Sequence, residues 1–277
     1  MWSLPSVFVL FSTMLGNSLV AGLDHHAILS RQNSSGWIPP SKDPFYTAPP
    51  NFESTPPGTI LRIRSAPGNI TSVVTNTSAA YHLLYRTTDT RYRPSWAVTT
   101  LLVPKKPLED RHAAGNTTQG QTALLSYQIA YNSADVDSSP SYQLSASYDP
   151  SSNIVIGTLD DINGALGRGW YVNIPDFEGP LAAFSSGPQE WHAVLDSVRA
   201  VLSFDEFPGT SGPRYALWGY SGGSIASTFA AELQASYAPD LSFAGAALGG
   251  MVPNMTSSYD SITATSWAGL LPGFLCE

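Results

Sequence analysis

Ser221 stands in the run Gly219-Tyr220-Ser221-Gly222-Gly223, a G-x-S-x-G spacing that suits a nucleophilic serine. A serine hydroxyl attacks a carbonyl usefully only if a base takes its proton and donors hold the oxyanion that forms. The serine must also take a strained backbone conformation that lifts its Oγ out of a turn, and only small neighbours let strand and helix close around it. The glycines meet that demand. The base is harder to find. All five histidines, His25, His26, His82, His112 and His192, precede Ser221, whereas serine hydrolases of this turn type carry Ser, then Asp or Glu, then His along the chain. A triad is defined by geometry rather than order, so His192 stays in view, although it falls in a helical pattern whose packing face begins at Trp191 and reads first as structural. Asp176 and Glu178 could form an acid/base pair, yet they follow a strand in a Pro- and Gly-rich loop and read as loop-shaping groups.

The elements around Ser221 have to present it. Arg214-Tyr215-Ala216-Leu217-Trp218 is rich in strand-favouring residues and is opened by the turn signal Thr210-Ser211-Gly212-Pro213. After the serine, Ile225, Phe229 and Leu233 recur every fourth residue with Ala226 and Ala230 beside them, one apolar face of a helix. Strand, sharp turn and helix make a nucleophile elbow, with a strand ending near Trp218 and a helix starting near Gly222. The helix start turns free N–H groups and a positive dipole end towards developing negative charge. The competing reading is a glycine-rich βα turn in which Ser221 does no chemistry.

Upstream, residues 59–64, 79–87 and 96–103 read as strands of an antiparallel start, and 122–127 and 170–174 as short buried strands. Trp191, Val194, Leu195, Val198, Val201 and Leu202 form one helical face, and 243–248 a last strand. This alternation predicts an α/β chain, a mostly parallel sheet covered by helices on both faces. The expected organisation is a signal peptide at 1–22, an extended arm at 23–57 with three Pro-Pro pairs, a core at 58–253, and the start of a cap over the site at 254–277.

A chain of 277 residues with 43% hydrophobic content can bury one large core. A net charge of −8 with only 13 Lys+Arg offers no basic stripe, so nucleic acid is not an expected partner. The apolar stretch from Leu4 to Leu15, followed by small and polar residues up to Asp24, resembles a secretory leader without the usual basic start. It is too short to span a membrane, and no later segment stays apolar for ~18 residues. Five Asn-x-Ser/Thr sites, at Asn33, Asn69, Asn76, Asn116 and Asn254, fit an exported, monomeric glycoprotein. Cys276 is single, one residue from the last; it either pairs with sequence not contained here or is a free thiol of no consequence.

Several longer segments resemble the fungal secretory lipases, α/β-hydrolases that cleave triacylglycerols and related esters. They include Pro57-Gly58-Thr59-Ile60-Leu61-Arg62, Asp176-Phe177-Glu178-Gly179-Pro180, His192-Ala193-Val194-Leu195-Asp196 and, longest, Ala216-Leu217-Trp218-Gly219-Tyr220-Ser221-Gly222-Gly223. The resemblance implies the α/β-hydrolase fold, incomplete at its carboxy-terminal side, with Ser221 as nucleophile and the Gly222 N–H as one oxyanion donor. It implies an ester or lipid substrate at a lipid–water interface, and neither metal nor organic cofactor. The family's second donor sits at the acidic residue of a Tyr-Gln-x-x-x-Asp-Ser pattern. Here the run is Tyr127-Gln128-Ile129-Ala130-Tyr131-Asn132-Ser133, so Asn132 replaces the acid. A backbone donor survives that change, and an amide side chain can itself donate; the plain alternative is a turn asparagine. Family members also carry a cysteine before the Pro140-Ser141-Tyr142 segment, where this chain has Ser138.

With the triad acid and histidine missing after Ser221, two readings follow from the resemblance. One is a secreted lipase or carboxylesterase seen as a truncated product, inactive or severely impaired in this form. The other is a genuine short protein, a lipid- or partner-binding pseudoenzyme. A peptidase of the same fold would share the elbow but not the longer segments.

Overall fold

The computed structural model describes residues 8–9, 38–107, 122–144, 154–208 and 212–271. The leader at 1–22 lies almost wholly outside these residues, as do Asn33, Asn116, Cys276, His25, His26 and His112.

Eight strands form one sheet: β1 (Phe8–Val9), β2 (Ile60–Ser65), β3 (Thr77–Thr88), β4 (Pro94–Pro104), β5 (Ala123–Gln128), β6 (Tyr171–Pro175), β7 (Arg214–Tyr220) and β8 (Gly245–Gly249), in the order β1-β8-β7-β5-β6-β4-β3-β2. The antiparallel start expected from the sequence is there in β2, β3 and β4, with β4 also antiparallel to β6. From β6 through β5 and β7 to β8 the pairing is parallel. The helices are α1 (Ile70–Val73), α2 (Pro140–Gln143), α3 (Ile154–Gly167), α4 (Gly187–Leu202), α5 (Gly222–Tyr237) and α6 (Met255–Ile262).

Successive strand residues point to opposite faces, and the core divides accordingly. Leu101, Leu124 and Tyr171 join the cluster built with α4 and α5, whereas their neighbours Leu102 and Val172 join the one built with α3. The α4 face read from the sequence is buried along Trp191, Val194, Leu195, Val198 and Val201. On the α3 side an apolar groove of about 520 Å³ runs past Trp170, Trp218 and Ala244 to Ala247.

Three details depart from the sequence reading. The elbow strand continues past Trp218 to Tyr220, because Tyr220 still pairs with Gly249. Within the stretch read as a leader, Phe8 and Val9 form β1 on the outer edge of β8, opposite Ala247 and Leu248. The proline-rich arm is not uniformly extended: short 3-10 turns occupy Pro44–Tyr46 and Phe52–Ser54, the first capped by the Asp43 carboxylate accepting from the Phe45 N–H. The arm is tied down by the Asp43–Arg64 ion pair and by the Trp96 Nε1–H donating to the Tyr46 carbonyl. After Pro253 the chain enters α6, with Asn254 as its N-cap. Among the described residues no helix is long and apolar enough to cross a membrane.

Candidate active site

Ser221 closes β7 and opens α5 with φ 53° and ψ −122°, a combination that side-chain-bearing residues rarely adopt and that persists only where surrounding structure enforces it. The enforcement is visible. The Ser221 N–H donates to the Gly249 carbonyl at 3.0 Å, and the Ser221 carbonyl accepts from the Ser224 N–H at 2.9 Å and the Ser224 hydroxyl at 2.6 Å. The backbone is thus pinned on both sides of a partly exposed serine.

Two neighbours must be glycine because other chain segments approach so closely. A Cβ at Gly223 would lie 2.0 Å from the Gln128 carbonyl oxygen, and one at Gly222 only 1.9 Å from Asn132 Oδ1. The end of β5 and the loop after it therefore press directly on the first turn of α5. Asn132 is itself held at φ 46°, and its Oδ1 is buried without a hydrogen-bond partner. The structure brings together Ser221, Gly222 and Asn132, three residues singled out in the sequence.

The loop carrying Asn132 rests on Glu178, whose N–H donates to the Tyr131 hydroxyl at 2.7 Å. The Glu178 side chain is fully buried, and neither oxygen has a hydrogen bond of ordinary geometry. Burial, then the nearby Glu190 charge, push its pKa well up, against the opposing pull of the Ser133 and Asn132 backbone N–H groups. Because the Asn132 N–H lies towards Glu178, the group left facing Gly222 is the Asn132 side-chain amide. The chain gives no local signal for this contact, which joins residues 46 apart in sequence.

Asp176 shapes its loop as expected: its carboxylate accepts from the Ser141 N–H at 2.9 Å and the Ser141 hydroxyl at 2.5 Å. Burial raises its pKa to about 7. The two described histidines are engaged elsewhere. His192 packs among Trp191, Tyr237 and Tyr92, and burial lowers its pKa to about 4. His82 faces Arg64, with Nε and Nδ1 3.4 Å apart; burial first, and then that positive charge, lower its pKa to about 3. Both are neutral at pH 7 and neither hydrogen-bonds Ser221. Among the described residues no cluster of His, Cys, Asp and Glu could hold a metal ion.

Residues 151–276 match the family model described as secretory lipase. Over 247 residues the chain is 51% identical to the trichothecene C-3 esterase of Fusarium sporotrichioides, a match covering 87% of this chain and 53% of that protein. It is 41% identical over 242 residues to lipase A of Arthroderma benhamiae, covering 84% and 49%. Among solved structures, Candida antarctica lipase A superposes with a TM-score of 0.74 at 33% identity, over 86% of this chain and 52% of that one. The chain spans about half the length of these relatives. A strained serine between a parallel strand and a helix, the family-model match, the fungal relatives and the shared fold together place the chain in the secretory lipase family of α/β-hydrolases.

Proposed function

We propose that the chain carries the nucleophile half of a secreted, monomeric serine ester hydrolase, a lipase or carboxylesterase that forms an acyl-enzyme on Ser221. The observation that carries this reading is the backbone of Ser221, held at φ 53° with Gly222 and the Asn132 amide beside it. Ser221 Oγ attacks the ester carbonyl, and the Gly222 N–H and the Asn132 side chain hold the tetrahedral oxyanion. The alcohol then leaves with a proton, and water releases the acid. Amide rotation that turns Nδ2 towards the site would supply the second donor. Since His82 and His192 are buried elsewhere, the base and its carboxylate come from polypeptide outside the described residues, with α6 as the start of a cap. Neither metal nor organic cofactor takes part.

The relative with 51% identity is named as a trichothecene C-3 esterase and others as lipases, so the substrate is a lipophilic ester. The test is hydrolysis of a 3-acetyl trichothecene, p-nitrophenyl butyrate and a triacylglycerol emulsion by the 277-residue chain and by a carboxy-terminally extended form, each beside its Ser221→Ala variant. A serine hydrolase without its triad retains only ~10³–10⁴-fold catalysis over water, roughly a millionfold below the intact set. The extended form should lose nearly all activity on Ser221→Ala, and the 277-residue form should be no better than its own variant. Strong turnover by the short form, abolished by Ser221→Ala, would mean that an upstream histidine completes the site. An extended form that binds esters without hydrolysing them would support the pseudoenzyme reading.

A further inference from the structure

Beneath the elbow lies a polar network that the proposed reaction does not use. Thr99, Ser126, Gln128, Asn173, Ser197 and Ser227 are all essentially inaccessible to solvent. The Thr99 hydroxyl donates to Asn173 Oδ1 at 2.5 Å. Asn173 Nδ2 donates to the Ser197 hydroxyl at 2.8 Å and to the Ser126 hydroxyl at 3.2 Å. Gln128 then spans the distance from Ser126 to helix α5. With its Oε1 towards Ser126, it accepts from that hydroxyl at 2.8 Å while Nε2 donates to the Ser227 hydroxyl at 2.6 Å and to the Trp218 carbonyl at 3.0 Å. This orientation leaves Ser227 free to donate onward to the Gly223 carbonyl at 2.9 Å. Each hydroxyl and amide on the path acts as donor or acceptor in one consistent direction, as buried polar groups must.

Gln128 occupies the point where the site's two halves meet. Its side chain grips the elbow strand through Trp218 and the second turn of α5 through Ser227, whose hydroxyl in turn holds the Gly223 carbonyl in the first turn. Its own carbonyl presses on Gly223, and Asn132 follows four residues later. We infer that Gln128 is a positioning residue, which fixes the separation between the Gly222 N–H and the Asn132 amide and so holds the oxyanion donors at their working geometry. A buried amide is costly unless fully hydrogen-bonded, and an apolar residue would pack strand against helix without that cost. What the amide adds is direction: a donor to Ser227 and Trp218 and an acceptor to Ser126, which a hydrocarbon cannot supply. Every side chain that bonds within the network is a neutral amide or hydroxyl, so none of them titrates between pH 5 and 9.

This inference rests on the serine-hydrolase reading for its catalytic part, and its test has an arm that does not. In the 277-residue chain, amide hydrogen exchange of Ser224 and Ile225, whose N–H groups close the first turn of α5 onto the Ser221 carbonyl, should quicken at least tenfold in Gln128→Leu and Ser227→Ala. The middle of α4 should keep its protection. Uniform loosening, or none, overturns the positioning role whatever the enzyme does. In an extended, active form, kcat for p-nitrophenyl butyrate should fall ~10–100-fold in Gln128→Leu with KM within about twofold, the size expected from a misplacement of about 1 Å. Gln128→Glu separates direction from packing. Its protonated form keeps one donor and its ionised form none, so its kcat relative to wild type should recover as pH falls, while Gln128→Leu stays low throughout. Equal and pH-independent losses in both variants, or a loss confined to KM, overturn the inference. If Ser221→Ala leaves hydrolysis intact, the serine-hydrolase reading fails and the exchange arm alone decides what Gln128 holds.

Discussion

Gly222→Ala and Gly223→Ala add the same methyl group one residue apart, and they should fail in different ways. At Gly222 the new carbon would sit 1.9 Å from Asn132 Oδ1, so the two must open by about 1.5 Å to reach the 3.4 Å of ordinary contact. The obstructing atom is the end of a side chain on a loop, and it can swing away. Folding should therefore lose only about 1 kcal/mol, the low end for overpacking. Catalysis should lose more, because the swing removes one oxyanion donor, an effect of ~10²–10³ in kcat. At Gly223 the carbon would sit 2.0 Å from the Gln128 carbonyl oxygen, part of the backbone of a strand paired with β7 at Gly219. That atom cannot swing, so the cost appears in folding, about 3 kcal/mol or more. Urea unfolding of the 277-residue chain reads the first quantity, and kcat of an extended form on p-nitrophenyl butyrate reads the second. If Gly222→Ala keeps kcat within about threefold of wild type, Asn132 is not a donor. If it destabilises as much as Gly223→Ala, the distinction between yielding side chain and fixed backbone is wrong.

Ser221→Gly should abolish turnover while raising the unfolding midpoint, since releasing a side chain from φ 53° returns about 1–3 kcal/mol, partly offset by glycine's unfolded-state entropy; a lowered midpoint would show that the turn is unstrained. Burial lifts the Asp176 pKa from 3.8 to about 7, so between those values the unfolded chain ionises first and stability falls as pH rises, levelling above about pH 7. Asp176→Asn should make that fall shallower in urea midpoints taken from pH 4 to 8, leaving a residual slope from Asp196, which burial raises to about 6, and from Glu178, which burial also raises. Glycopeptide mass spectrometry of secreted material should find sugar on the exposed Asn69 and Asn254 but not on Asn76, whose Nδ2 donates to the Asn163 carbonyl at 2.9 Å; full occupancy at Asn76 would refute this.

The elbow was legible because its signals are local: a β-rich run, three glycines around one serine, and an apolar period of four immediately after. The strands were legible for the same reason, through alternation and branched residues. Asn132 came only through the longer family pattern, since nothing within its own loop marks it. Nothing local marks the polar network: Ser126 lies in the run that reads as a buried strand and Gln128 directly after it, and their partners Asn173 and Ser227 lie 47 and 99 residues away. Burial makes these groups consequential, and burial is a property of the assembled sheet. The arm misled in a smaller way: Pro-Pro pairs favour extension, but Asp43 both caps a turn and pairs with Arg64, a partner 21 residues on.

The strand order also sets a timetable. β5 cannot complete its ladder until β7 exists, and the first pair in that ladder, Ala123 with Arg214, is separated by about 90 residues of synthesis. At ~5–20 residues per second that is roughly 5 to 20 s during which the apolar Leu124 and Leu125 present an open edge. The antiparallel β3–β4 hairpin, already made by then, can shelter only what β6 later brings beside it. Nascent chains paused before β7 has left the ribosome should accordingly be the species that chaperones hold most tightly, and stalls placed far enough past residue 220 to bring β7 clear of the ribosome should release them.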